Sequence, residues 1–368
     1  MTTSTLLDSI SRPVLLLNET KARENIRNMA IKARQSGVDF RPHFKTHQSI
    51  QIGRWFRDYG TTKITVSSVE MAAYFASDGW DDITIAFPLN YRQLSEIEEL
   101  AADVHLGILV ESPEAARAFG KLHSARFNIW IKIDCGLHRT GVDWQDITRV
   151  HAIMDEVRRY PNLHPAGLLT HAGNTYSARS QQEAIAIHLE TNERMRQLRS
   201  NLGIADLAVS IGDTPGCSLR QTFDGIDEIR PGNFVFFDAE QLEIGSCQPS
   251  KISVAMACPV VACHSSRNEV VIYGGAVHLS KEAFLHNGIP SYGLSAETQS
   301  NGWGDLIPGS SVSRVSQEHG IVTVPPEHMA EFSPGGLAMI IPTHSCLTAH
   351  LMRRYMTLDG KSIEMMPV

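Results

Sequence analysis

Phe40-Arg41-Pro42-His43-Phe44-Lys45-Thr46-His47 sets a lysine between two histidines, where a short extended run ends and a helix begins. A lysine at a strand terminus is a potential nucleophilic amine. In a barrel of alternating strands and helices, chemistry collects at the carboxyl ends of the strands. The rest of the chain reads as such a barrel. Short apolar or β-branched runs fall near 38–44, 62–66, 82–86, 104–110, 128–134, 165–170, 206–211 and 227–236. Helical periods lie between them over 47–58, 68–78, 91–102, 112–123, 145–159 and 180–202. Ser67 or Ser68 before Val69-Glu70, and Ser112 before Pro113-Glu114, supply the expected helix starts. Eight strand-helix units favour a (β/α)8 TIM-type barrel over an open doubly wound sheet.

Beyond residue 245 the texture changes to β-rich runs, many turns and no long amphipathic helix. The expected organisation is an α/β chain: a barrel over 15–245, then a mainly β domain over 246–368 joined by an N-terminal strand within 1–14. The 368 residues are 42% apolar with net charge -7 and no basic stripe, so neither nucleic acid nor an anionic membrane is the expected partner. No membrane-spanning run or secretory leader is read, and six scattered cysteines without a CxxC pair suit reduced thiols. The expected location is the cytoplasm, and the expected partner is a small molecule.

The unusual residues cluster after the predicted strands. Lys45 ends the first, Asp134-to-Gly141 follows the fifth, and Thr170-to-Tyr176 follows the sixth. Ser210-Ile211-Gly212-Asp213-Thr214-Pro215-Gly216 follows the seventh, and Arg230-Pro231-Gly232-Asn233 the eighth. Glycine-rich turns after strands seven and eight let backbone N–H groups converge on a phosphate. A lysine opposite such a cradle suits pyridoxal phosphate (PLP), held covalently and acting as an electron sink.

These motifs, taken in order with Pro342-Thr343-His344-Ser345-Cys346, resemble the alanine-racemase-fold PLP enzymes, in the branch containing D-threonine aldolase and metal-dependent D-serine dehydratase. The resemblance spans nearly the whole chain. It implies that Lys45 holds PLP and moves the proton at the substrate α-carbon, that Arg139 contacts the phenolic oxygen, and that His171 packs against the ring. Ser210, Gly212, Thr214, Gly232 and Asn233 would bind phosphate. Arg230 matches the arginine that meets the pyridine nitrogen, with Tyr176 its rival. His344 and Cys346 are spaced to offer imidazole and thiolate to one borderline-soft cation. In the family this pair sits beside the cofactor; His-x-Cys marks dehydratase-like members with zinc, whereas aldolases carry His-x-Asp with harder ions such as manganese. Magnesium is a further option.

Each residue also has a bland reading. Lys45 would be a surface lysine, Arg139 and Arg230 loop-tying ion pairs, His171 a core histidine, and His344 with Cys346 a buried imidazole and an inert thiol. The order of motifs along the chain decides against these. His278, in a Gly-rich loop, reads as structural. The expected activity is PLP- and metal-dependent β-elimination from a D-β-hydroxy amino acid, most like D-serine dehydratase, giving keto acid and ammonia. The alternative is retro-aldol cleavage by a D-threonine or 3-hydroxy-D-aspartate aldolase, with His47 or His171 as the base at the hydroxyl. A racemase and a non-catalytic PLP carrier are weaker options, the latter because such carriers lack a β domain and a metal pair. Family members are commonly homodimers, which the resemblance implies here.

Overall fold

The computed structural model describes residues 6–204 and 206–367, so residues 1–5 of the expected N-terminal segment lie outside the described residues. The chain divides into two compact units, Arg27–Gly232, and Met1–Ile26 together with Asn233–Val368. The sequence reading divided it at 14/15 and 245/246 instead.

Within Arg27–Gly232 the described residues form a ring of eight parallel strands, with a short ninth, Val142–Asp143, paired beside Ile133 and Asp134. The eight are Asp39–Phe40, Lys63–Val66, Asp82–Pro88, His105–Val110, Phe127–Asp134, Leu163–His171, Ala208–Gly212 and Glu228–Ile229. From the second onward each pairs with the next in chain order, and the eighth pairs with the first. The ring closes between the first and second strands through a parallel bridge, His43 to Thr65. The expected (β/α)8 barrel is therefore the observed one.

The first strand is shorter than the expected 38–44 because Pro42 has no N–H to donate. Its ladder continues around that gap. Arg41 N–H reaches Ile229 at 3.0 Å, His43 N–H reaches Pro231 at 2.9 Å, and Phe44 N–H reaches Thr65 at 2.8 Å. Helices Val69–Ala76 and Pro113–Gly120 start where Ser68 and Ser112 accept from the amides of Met71 and Ala115. Leu109, Trp130 and Leu169 form an apolar plug, with Ala86, Ala166 and Ala208 packed against it. Strands six and seven approach closely: a Cβ on Gly167 would lie 2.1 Å from the Ala208 carbonyl oxygen.

The other unit is built on a nine-stranded sheet. Glu269–Tyr273, His319–Thr323, Gly302–Val315, Gly293–Gln299, Leu337–Pro342 and Val254–His264 follow one another in antiparallel pairs, and the last pairs back to the first. Closure of these six removes exposed edges. Val14–Leu17 then adds to the sheet, antiparallel to residues 254–257 and parallel to 356–357. No helix among the described residues is long and apolar enough to cross a membrane.

Candidate active site

Lys45 lies just past the end of the first barrel strand, in the turn that leads to helix Ile50–Arg57. Its side chain is exposed at the carboxyl-end rim, and its carbonyl accepts from Gln48 Nε2 at 3.1 Å. Around it stand His43, His171 and Arg230. Burial first, and then the cations Lys45 and Arg230, push His43 well below its ordinary value. Burial and Lys45 likewise bring His171 down to about 3. Both imidazoles are therefore neutral at ordinary pH. His171 Nδ1 lies against the Gly212 carbonyl, which can only accept, so Nδ1 carries the hydrogen and Nε2 keeps the lone pair.

Arg139 sits on the exposed loop after the fifth strand, close enough that its charge acts on His171 and on Lys132. That loop is shaped by Asp134, whose Oδ1 accepts from the amides of Gly136, Leu137 and His138 at 2.9, 3.0 and 3.1 Å. Lys132 points into the barrel. Burial and the neighbouring Arg230 lower it to about 8. Tyr176 accepts from the Thr214 amide at 3.2 Å, with its ring 6.3 Å from that of His171. Gly212 and Gly232 are required by crowding. A Cβ on Gly212 would come within 2.9 Å of the Arg230 carbonyl oxygen, and one on Gly232 within 2.9 Å of the His43 carbonyl and Thr46 Oγ1.

Three of the expected site residues turn their side chains elsewhere. His47 does not join this cluster; it is fully buried, with ring centroids 4.5, 5.6 and 5.8 Å from Phe44, Phe56 and Phe75. Desolvation lowers it to about 3, and its Nδ1 accepts from the Ser49 amide at 3.1 Å. Ser210, expected at the phosphate, turns its hydroxyl into the barrel between Glu228 and Arg230. Asn233, also expected there, directs its amide to Asp238 at 2.6 Å, Ser345 Oγ at 3.0 Å and Cys346 Sγ at 3.7 Å.

The sequence reading passed over a buried support behind the Gly212 turn. Asp213 caps helix Thr214–Leu219, accepting from the Gly216 amide at 2.5 Å and from Thr175 Oγ1 at 3.1 Å, and pairs with His188 at 3.0 Å. His188 holds this carboxylate below its usual range in spite of its burial.

The Asn233–Val368 unit carries a second group. His344 Nδ1 lies 3.3 Å from Glu240 and 3.6 Å from Asp238, and these three are the donors that converge closely enough to hold a cation among the described residues. Burial alone would lower His344; Cys346, Glu240 and Asp238 instead hold it well above its ordinary value. Of the expected pair, Cys346 acts on His344 from beside it, and His344 belongs to this group together with two carboxylates. Their signal was available as Asp-x-Glu at 238 and 240, but over a hundred residues separate it from His344.

Residues 17–240 match the family described as "Alanine racemase, N-terminal domain", and residues 253–358 match the one described as "Putative serine dehydratase domain". The chain is 27% identical over 373 residues to D-threo-3-hydroxyaspartate dehydratase of Delftia sp. (strain HT23), covering 96% of each. It is 25% identical over 383 residues to D-serine dehydratase of Dictyostelium discoideum, covering 96% of this chain and 95% of that one. Among solved structures it is similar to a cysteine-to-alanine mutant of D-threo-3-hydroxyaspartate dehydratase in the metal-free form, with TM-score 0.88, 26% identity and 99% of each chain covered. With well over half of its length inside the first match, this protein belongs to the alanine racemase N-terminal domain family.

Proposed function

We propose that the chain is a PLP- and divalent-metal-dependent lyase that eliminates water from a D-configured β-hydroxy amino acid, as a D-serine dehydratase does. One observation carries the reading: an amine, Lys45, stands at the barrel rim among Arg230, Arg139 and Lys132, beside two neutral imidazoles. That donor set fits a phosphorylated aldehyde, with an amine for the aldehyde and cations for its anionic groups. When bound, PLP supplies an electron sink for charge developing at the α-carbon.

The residues divide the remaining work. Lys45 would hold the cofactor and move the proton at the substrate α-carbon. Arg139 and Arg230 hold the cofactor's oxygen and ring nitrogen. His171, neutral with a lone pair on Nε2, accepts or returns a proton at the substrate hydroxyl. The imidazole, thiol and carboxylates of His344, Cys346, Asp238 and Glu240 suit a borderline divalent cation, zinc before magnesium or manganese, which would supply Lewis acidity. The dehydratases among its relatives and the thiol at Cys346 favour elimination over aldol cleavage.

The chain is also proposed to work in the cytoplasm, where six cysteines unpaired with one another are at home. A homodimer is supported by exposed Leu285, Ile289, Leu347 and Leu351. Incubating the PLP-loaded protein with D-serine, D-threo-3-hydroxyaspartate and D-threonine tests the function directly. Keto acid and ammonia are the expected products. Glycine with an aldehyde, and no keto acid, would replace the dehydratase reading with the aldolase.

A further inference from the structure

A chain of charged and polar groups crosses the interior of the barrel beneath the rim. Asp82 Oδ1 lies 2.5 Å from Arg41 Nη1, and Arg41 Nε donates to Glu228 Oε2 at 2.6 Å. Glu228 Oε1 accepts from Ser210 Oγ at 2.6 Å, and Ser210 Oγ accepts from Arg230 Nε at 2.7 Å. Arg41, Ser210, Glu228 and Arg230 are all buried. Strand pairing dictates the placement. Glu228 stands directly across from Ser210 in the register, and Glu228 and Arg230, two residues apart, share the inward face.

Every hydrogen in this chain has a forced position. An arginine Nε can only donate, so Ser210 Oγ must accept from Arg230 and spend its single hydrogen on Glu228. Both Glu228 oxygens are then acceptors, one from Ser210 and one from Arg41. Arg230 is pinned again where Nη2 donates to the carbonyls of Thr170 and Ser210. Its Nη1 is left with no hydrogen-bond partner among the described residues. Burial brings Arg230 down to about 10, with Glu228 opposing the fall, so the guanidinium stays charged at neutral pH.

Resting on the function proposed above, we infer that Glu228 is a positioning residue for the cofactor: acting through Ser210 and backed by Arg41, it fixes the orientation of Arg230, whose unpartnered edge meets the pyridine ring. Preorganising a donor in this way spares the ligand the cost of ordering it.

The test titrates apo-protein with PLP and with phosphate-free pyridoxal, following the absorption band at about 420 nm. Ser210→Ala cuts the relay while leaving the Arg41–Glu228 pair intact, so the variant should fold. Roughly tenfold weaker binding of both compounds is expected, the scale of one lost charge-assisted hydrogen bond, together with a displaced band. Ser210→Thr, which keeps the hydroxyl, restores both. Glu228→Gln should act in the same direction, although it strands Arg41 and will melt earlier. Wild-type affinity and an unmoved band in Ser210→Ala would overturn the inference, as would a loss confined to PLP, which would return Ser210 to the phosphate. If the wild-type protein takes up no PLP, the proposed function falls with it.

Discussion

Asp238 offers the sharpest test of the cation group. It is fully buried and accepts four hydrogen bonds: Oδ2 from Asn233 Nδ2 at 2.6 Å, Ser345 N–H at 2.9 Å and Ser345 Oγ at 3.2 Å, and Oδ1 from the Gln241 amide at 3.0 Å. Asp238→Asn can keep one oxygen. If that oxygen stays with Asn233 and Ser345, the new amide faces the Gln241 N–H, and one buried donor loses its acceptor at about 1–3 kcal/mol. The negative charge 3.6 Å from His344 is lost as well. Removing a carboxylate that supports a metal-binding imidazole typically lowers affinity by about 10–100-fold, or roughly 1.4–2.8 kcal/mol. The assay is a zinc titration of apo-protein against a chromophoric competing chelator, with denaturant melts of both proteins run in parallel. A variant that is less stable yet binds zinc as the wild type does would show that Asp238 merely caps a helix. The reasoning about the cation would then be refuted.

Lys45→Ala should abolish covalent PLP attachment, seen as loss of the band at about 420 nm that borohydride would otherwise trap; retention of trapped cofactor would require a different amine. His47→Leu should cost about 1–3 kcal/mol of stability through the orphaned Ser49 amide, while turnover per folded molecule is kept; a fall of two orders of magnitude would return His47 to the chemistry. Lys132 titrates near 8 when folded, against an ordinary 10.5, so the unfolded chain binds the extra proton between those values and stability rises with pH across that window. Lys132→Met should flatten this rise in denaturant midpoints measured from pH 7 to 10.5, and an unchanged slope would contradict the assignment.

The barrel was legible because its strands are bounded β-branched runs, and their carboxyl ends collect the residues that do chemistry. The roles of the two histidines flanking Lys45 were not. Residues 44–47 form turns, so neither a period of two nor of 3.6 says which imidazole faces the rim, and the structure sends His43 there and His47 into the aromatic core. Glu228 and Arg41 escaped notice for another reason. A charged residue in a strand ordinarily marks the solvent face, whereas a closed ring has an inward face that admits charge when it is paired. Asp238 and Glu240 join His344 only through tertiary folding, which no local pattern encodes.

The seating of Val14–Leu17 has a consequence for biosynthesis. Leu16 pairs with Ala255 on one side and Met356 on the other, contacts that lie 239 and 340 residues downstream by subtraction. A nascent chain can finish the strands of its parallel ring once residue 232 clears the ribosome, but this apolar segment gains its first strand partner only when residues 254–257 emerge and its second only with residues 356–357. Long-range pairing of that kind is slow and exposed to aggregation. Synthesis stalled before residue 254 should leave closed parallel strands beside an exposed apolar segment, a natural target for a holding chaperone.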